Sequence, residues 1–327
     1  MLINRDNQKM PLSVGPLLYM PALRQDIAEK ISTGTEGLRS AAICLEDTIR
    51  DDMVEAAENN LIDQLFVLKD MIFTGAVSRD KLPMIFIRVR EPEQITTLAK
   101  RAGECMSFVT GFILPKIDDI EMEKYMGVIK ETEKWSDPPV FMPIIENPSL
   151  LRLSDRYVRL ERLRDMFREI KDRILNVRIG GNDFCRTLSL RADITQTIYD
   201  IPPVAALLSD ISATFCGEFV VSAPVWNYFE GDGTDLWKKG MEREMLLDKS
   251  MGFVGKTIIH PCQISAVNSF MAVPANDYND ARLIMNTMGS EIQVVKGSEG
   301  NRMYESKIHC GWAEKTLCLA EIYGVRS

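Results

Sequence analysis

The chain has 327 residues, with 47 Asp and Glu against 39 Lys and Arg, a formal net charge of −8, seven cysteines and two histidines. A composition of 46% hydrophobic and 26% charged residues at this length excludes global disorder and supports a large buried core. The acidic balance argues against nonspecific nucleic-acid binding, which needs a basic face. With only two histidines, His260 and His309, both late, a three-histidine metal site is impossible.

The opening stretch, MLINRDNQKMPLSVGP, holds no continuous apolar segment of the kind a secretory signal needs. No apolar run approaches the roughly 20 residues that span a bilayer. The cysteines are odd in number and none is spaced CxxC, so free thiols are expected rather than a disulfide framework. These features predict a cytoplasmic protein with no membrane partner.

Eight short apolar runs follow in chain order: Leu17–Ala22, Ala41–Leu45, Met84–Val89, Gly111–Pro115, Val140–Ile145, Leu175–Ile179, Phe219–Ala223 and Lys256–Ile259. Most are rich in β-branched residues, as strands buried on both faces should be. Between them lie helical stretches such as Asp52–Phe66, Pro92–Ala102, Asn147–Arg173 and Leu236–Met251. Eight strand–helix units in this span predict a (β/α)8 TIM barrel over residues 1–272. A doubly wound open sheet uses the same local units, but no GxGxxG follows the first strand. Residues 273–327 break the rhythm and read as a C-terminal helical lid or oligomerisation segment. It carries helix candidates at Tyr278–Met288 and Glu305–Tyr323 around a polar loop, KGSEGNR.

Barrel enzymes place their chemistry at the C-terminal ends of the strands, so the polar residues closing each run are the candidates. The second run ends in Glu46 and Asp47, the third carries Arg88 and Arg90, and the fourth ends in Lys116. The fifth ends in Glu146, the sixth in Asn182 and Asp183, and the eighth in His260. Charges at buried strand tips must be solvated, paired or bound. Glu146 and Asp183 suit one Mg²⁺, leaving positions for water and a chelating substrate; equally, each carboxylate fits a helix cap or an Arg partner. Gly180-Gly181 lets the backbone turn tightly before Asp183. Arg88 fits a clamp for a carboxylate or an enolate oxygen, and also a structural partner for Glu46 or Asp47. Lys116 suits a Schiff base or an electrostatic wall, and His260 a structural histidine or a catalytic one. The loop Phe229–Asp235 lacks a calcium-ligand ladder and reads as a mobile βα loop.

In their order, these strand ends resemble the citrate lyase β-subunit family, with the malyl-CoA lyases and related acyl-CoA carbon–carbon lyases. LLYMPALR resembles the family's opening strand and places Arg24 at its recurring arginine, and AAICLEDTI matches its acidic motif at Glu46 and Asp47. IRVR places Arg88 at the substrate-binding arginine, and ILPKI matches the fourth strand. IIENP and GGNDF put Glu146 and Asp183 at the two Mg²⁺-binding carboxylates, and GKTIIHPCQI is similar to the eighth-strand signature. The departures are Arg90, where the family usually has Asn, the SAPVWNYF stretch, and Glu305, where the lid motif has an Asp that reaches a neighbouring subunit. Together they resemble the divergent carbon–carbon lyase-like branch of bacterial tellurite-resistance and stress operons.

The resemblance implies a Mg²⁺-dependent aldol- or Claisen-type lyase, a homo-oligomer, acting on a small hydroxy acid or its acyl thioester. Arg88, Asp47 and Glu305 would carry the catalysis, with Arg24, Glu46, Arg90, Lys116 and Asn182 binding substrate. Two rivals stand beside it. One is a Schiff-base aldolase through Lys116; the other is a barrel that has lost catalysis and serves as a ligand-binding or scaffold protein. An aldolase with a histidine base early in the barrel is excluded, since no histidine precedes His260.

Overall fold

The computed structural model describes residues 5–32, 35–231 and 233–327, so Asp232 of the 229–235 loop lies outside the described residues. Eight parallel strands form one sheet: β1 (Pro16–Pro21), β2 (Ser40–Cys44), β3 (Met84–Arg88), β4 (Gly111–Ile117), β5 (Val140–Ile145), β6 (Val177–Ile179), β7 (Val221–Ser222) and β8 (Lys256–Ile258). From β1 to β7 each strand pairs with the next in sequence, and β1 also pairs with β8. A parallel bridge between Ala223 and Lys256 brings β7 onto β8. The eight predicted strands are the barrel.

The strands are buried on both faces, so their apolar residues divide by a period of two. Leu17, Ala42, Phe86, Ile113, Met142 and Ile144 pack with one another inside the ring. Leu18, Met20, Ile43, Ile85, Ile87, Phe112 and Leu114 pack outward against the helices. Helix ends follow local chemistry. The helix Pro92–Ala102 starts with proline in its first turn and stops at Gly103, whose φ is 55°. The helix Asp119–Thr132 is capped by the Asp118 carboxylate, which accepts from the Ile120 and Glu121 amides.

One expected helix is three pieces: Asn147–Arg173 divides into a 3₁₀ turn, Pro148–Leu151, a helix, Arg156–Glu169, and a second 3₁₀ turn, Lys171–Arg173. The buried Arg156 guanidinium makes the first break: it donates to the carbonyls of Leu150 (2.7 Å) and Leu151 (3.2 Å) and pairs with Asp210 at 3.0 Å.

Beyond the barrel, helices Ala275–Thr287 and Ser306–Tyr323 pack together around Ala281, Ile284, Tyr304 and Ala313. The polar loop between them is the turn of an unforeseen hairpin, Val294–Lys296 against Met303–Glu305. The last helix returns to the start of the barrel, where the Tyr323 hydroxyl donates to the Leu12 carbonyl (2.8 Å) and Arg39 donates to that of Ile322 (2.7 Å). Among the described residues, no helix is long and apolar enough to cross a membrane.

Candidate active site

The tips of β2 to β5 converge on one guanidinium. Arg88, at the end of β3 and buried, places Nη2 2.9 Å from Glu46, 3.0 Å from Asp47 and 2.8 Å from Glu146. Lys116 closes the ring, its ammonium pairing with Glu46 and, at 3.1 Å, with Asp47. It gets there by a distortion. The β4–β5 register shifts between Leu114 and Ile117, and Lys116 adopts φ 53°, a left-handed conformation that costs a side-chain-bearing residue. The bulge turns the Lys116 amide onto Glu146 Oε1 at 3.0 Å, and the Asn147 side chain donates to the Lys116 carbonyl at 3.1 Å. Strain at a strand tip that organises four charges fits a functional site.

The electrostatics follow from burial and pairing. Glu146 is pushed up to about 7, because burial and the nearby Asp183 charge outweigh the opposing pull of Arg88. Burial also raises Glu46, helped by its contact with Asp47 and opposed by Arg88 and Lys116. Burial opposes ionisation at Asp47 too, but its hydrogen bond with Glu46 and the charges of Arg88 and Lys116 win and hold it at about 2. Against desolvation, Glu46 and Asp47 raise Lys116. The Lys116 amine therefore stays an ammonium at neutral pH.

Glu146 and Asp183 fit a hard divalent cation. Glu146 commits Oε1 to Arg88 and the Lys116 amide, and Asp183 commits Oδ1 to Arg186 at 2.8 Å, leaving an oxygen on each. A cation between them would relieve the penalty that lifts Glu146. Among the described residues, no group of three or more His, Cys, Asp or Glu side chains forms a ready metal cage. Two protein carboxylates with the remaining positions left to water and substrate is the ordinary Mg²⁺ arrangement.

Gly180 has a different reason for being glycine than a tight turn. Its φ of −102° suits any residue, but an added Cβ would sit 2.8 Å from Glu146 Cδ and nearer still to Oε2 and Cβ. The missing side chain is the room that Glu146 occupies.

The remaining candidates lie outside this cluster. Arg24 is clasped bidentately by Asp26 (2.8 and 2.6 Å). Arg90 braces the loop after β2, donating to the carbonyls of Leu45 (3.2 Å), Glu46 (3.4 Å) and Ile49 (3.2 Å) and pairing with Asp51. It also borders a cleft of about 560 Å³ with Glu46, Lys116, Tyr125 and Asn147. Asn182 exchanges amide hydrogen bonds with Asn227 (3.0 and 2.9 Å). His260 stacks on Phe229, with centroids 4.7 Å apart, and its Nδ1 accepts from the Cys262 amide, a structural part. Glu305 is exposed on the C-terminal hairpin, its backbone engaged by His309, and the carboxylates paired with Arg88 are those of Glu46, Asp47 and Glu146 instead.

Two inward-facing residues escaped the sequence reading: Tyr19 on β1 and Arg178 on β6. Arg88 lies 6.0 Å from the Tyr19 ring centroid. The charged residue inside the apolar run LNVRI was the available signal.

A family profile describing carbon–carbon bond lyases of the TIM-barrel fold matches residues 8–325. The chain belongs to that family. No curated protein matches it. Among solved structures, the protein CitE of Mycobacterium tuberculosis in complex with magnesium, acetoacetate and coenzyme A superposes with a TM-score of 0.60 at 18% identity, covering 95% of this chain and 100% of that one. RipC of Yersinia pestis gives 0.53 at 16%, covering 79% and 95%. The citrate lyase β subunit of M. tuberculosis with oxaloacetate and magnesium gives 0.50 at 17%, covering 80% and 99%. These likenesses carry the barrel fold; the lyase assignment comes from the family, whose profile spans barrel and C-terminal segment alike.

Proposed function

We propose that this member of the family is a Mg²⁺-dependent lyase that makes or breaks a carbon–carbon bond, by aldol- or Claisen-type chemistry, in a small hydroxy acid or its acyl thioester. The observation that carries the reading is the convergence of Arg88, Glu46, Asp47 and Glu146 on one another at the strand tips, beside Asp183. Glu146 and Asp183 would hold the ion, which when bound polarises the substrate's oxygens. Arg88 keeps a fixed positive charge where charge develops on oxygen, and the three carboxylates around it prevent it from swinging away. Asp47, ionised across the working pH range, orients both Arg88 and Lys116. In substrate binding, Arg24, Arg90 and Asn182 would serve the outer mouth.

Lys116 stands here as an electrostatic wall. A Schiff base needs a neutral amine, and its two carboxylate partners favour the ammonium. We assign Glu305 as the proton-transfer group supplied by a neighbouring copy, which makes the working enzyme a homo-oligomer with residues 273–327 as its lid. Cysteines without CxxC spacing suit a reducing compartment, so we place the protein in the cytoplasm.

The test is retro-aldol turnover and Mg²⁺ titration by calorimetry across wild type, Glu146→Gln and Asp183→Asn. Each variant should lose Mg²⁺ affinity and turnover together; unchanged Mg²⁺ binding in both rejects the metal assignment. Borohydride trapping with a carbonyl substrate should leave Lys116 unmodified. Mixing Glu305→Gln with Arg88→Ala subunits should restore activity that neither has alone, and no recovery in mixed oligomers rejects the shared site.

A further inference from the structure

Away from the strand tips, a cavity of about 290 Å³ opens where the C-terminal segment packs on the barrel. One wall is built by the helices Leu236–Ser250 and Gln263–Met271 and the turn leading into β8. The helix Ser306–Tyr323 supplies the other. The cavity therefore lies at the end where β8 begins, opposite the tips that carry Arg88 and Glu146. Its lining is mostly apolar, with Phe253, Val267, Phe270, Met271, Trp312 and Leu319 in contact with the open space. Side chains that face such a hollow forgo the contacts a packed interior would give them, and apolar walls hold water poorly.

The polar groups on the walls divide into those that are matched and those that are not. Lys256 meets Glu244 and Asp248, both at 2.8 Å, and Lys249 pairs with Asp277 at 3.6 Å. Lys315, exposed at the rim, has no such counter-charge. Its ammonium donates to the Gly252 carbonyl at 3.0 Å, and among the described residues no carboxylate pairs with it. Thr316 beside it is 7% exposed, and its hydroxyl has no hydrogen-bond partner among the described residues. An unbonded hydroxyl in a buried setting is costly, and valine would fill the same space without that cost. A cation with N–H groups to spare and a free hydroxyl, both at the edge of an apolar hollow, suit one carboxylate with its chain turned inward.

Size and charge narrow the ligand further. The volume stands at the small end of ligand pockets, which start at about 300 Å³, so a coenzyme or its thioester does not fit. One unmatched cation calls for one negative charge, which disfavours a phosphate or a diacid. We propose that this cavity binds an aliphatic monocarboxylate of medium chain length, with its head at Lys315 and Thr316 and its chain against Phe253, Phe270 and Met271. The site is separate from the mouth, and the proposal does not depend on the metal-lyase reading. A ligand seated here touches barrel and C-terminal helix together, and so ties the segment that bears Glu305 to the barrel.

The experiment is calorimetric titration of the full chain, without Mg²⁺, with hexanoate, octanoate and octanol. Octanoate should bind about 15-fold more tightly than hexanoate, the effect of burying two more methylenes. Lys315→Met keeps the apolar stem and should weaken octanoate about 2–5-fold while leaving octanol in place. Ala272→Leu enlarges a wall residue and should abolish binding of both. In wild type, octanoate should also slow amide hydrogen exchange across residues 306–323. No octanoate binding, equal affinities for the two acids, or octanoate binding that survives Ala272→Leu overturns the proposal. If circular dichroism shows that Ala272→Leu does not fold, Lys315→Met decides: a loss for octanoate but not octanol supports the site, and equal effects on both, or none, overturn it.

Discussion

Replacing Gly180 by alanine tests how the candidate site is built. The backbone at Gly180 has φ −102° and ψ 80°, which alanine tolerates, so any effect must come from the added methyl. That methyl would meet three Glu146 side-chain atoms, Cδ at 2.8 Å and two others closer, and such contacts require something to move. Overpacking alone costs about 1–3 kcal/mol. If Glu146 moves instead, the 2.8 Å pair with Arg88 breaks in a buried setting, a loss of about 3–5 kcal/mol. We expect Gly180→Ala to destabilise the protein by about 3–5 kcal/mol in urea unfolding. The partner variant is Glu146→Gly, which removes every atom the methyl would strike. In that background Gly180→Ala should be close to neutral, so the double-mutant cycle should return a coupling of about 3 kcal/mol or more. A full-sized penalty that persists without the Glu146 side chain, or no penalty in wild type, would refute the packing argument.

Three further outcomes are expected. At Lys116, whose φ is 53°, Lys116→Gly should be about 1 kcal/mol more stable than Lys116→Ala in chemical denaturation, since both lose the ammonium and only alanine keeps the strain. Arg90→Asn removes donors from the carbonyls of Leu45, Glu46 and Ile49 and should speed amide hydrogen exchange in the loop after β2; unchanged exchange would return Arg90 to a purely ligand-facing role. Asp248, between Lys256 and Tyr199, is raised from 3.8 to about 6, by burial first and against the pull of Lys256. An acid raised by folding binds its proton more tightly when folded, so its contribution to stability is present below 3.8 and lost as pH rises through about 6. On the order of 3 kcal/mol is involved, and Asp248→Asn should flatten that part of the pH–stability curve measured by thermal unfolding.

The departures from the citrate lyase β-subunit pattern follow their own logic. Arg90 supplies internal scaffolding to the acidic loop, holding three carbonyls at once, while still bordering the cleft beside Lys116. Asp183 is engaged by Arg186 three residues on, so a cation arriving at the mouth competes with a half-exposed ion pair that water screens and loosens.

The sequence by itself determined the eight strands, because burial on both faces leaves an unbroken apolar run that local reading detects, and it determined which tips carry charge. It also singled out Arg88, Glu146 and Lys116 as candidates, since a charge closing such a run must be solvated, paired or bound, but it left open which. Tertiary structure decided everything that depends on side chains meeting across the ring. Gly180 is glycine because Glu146 of the adjacent strand needs its space; Lys116 is strained because its amide must reach that same carboxylate. The helix after β5 breaks at Arg156 because carbonyls and an aspartate elsewhere capture its guanidinium. Arg178 shows locally only as a charge inside the apolar run LNVRI, with nothing in the run to say what it meets. Only closure of the barrel seats its buried guanidinium against Thr257 of β8, 2.7 Å away.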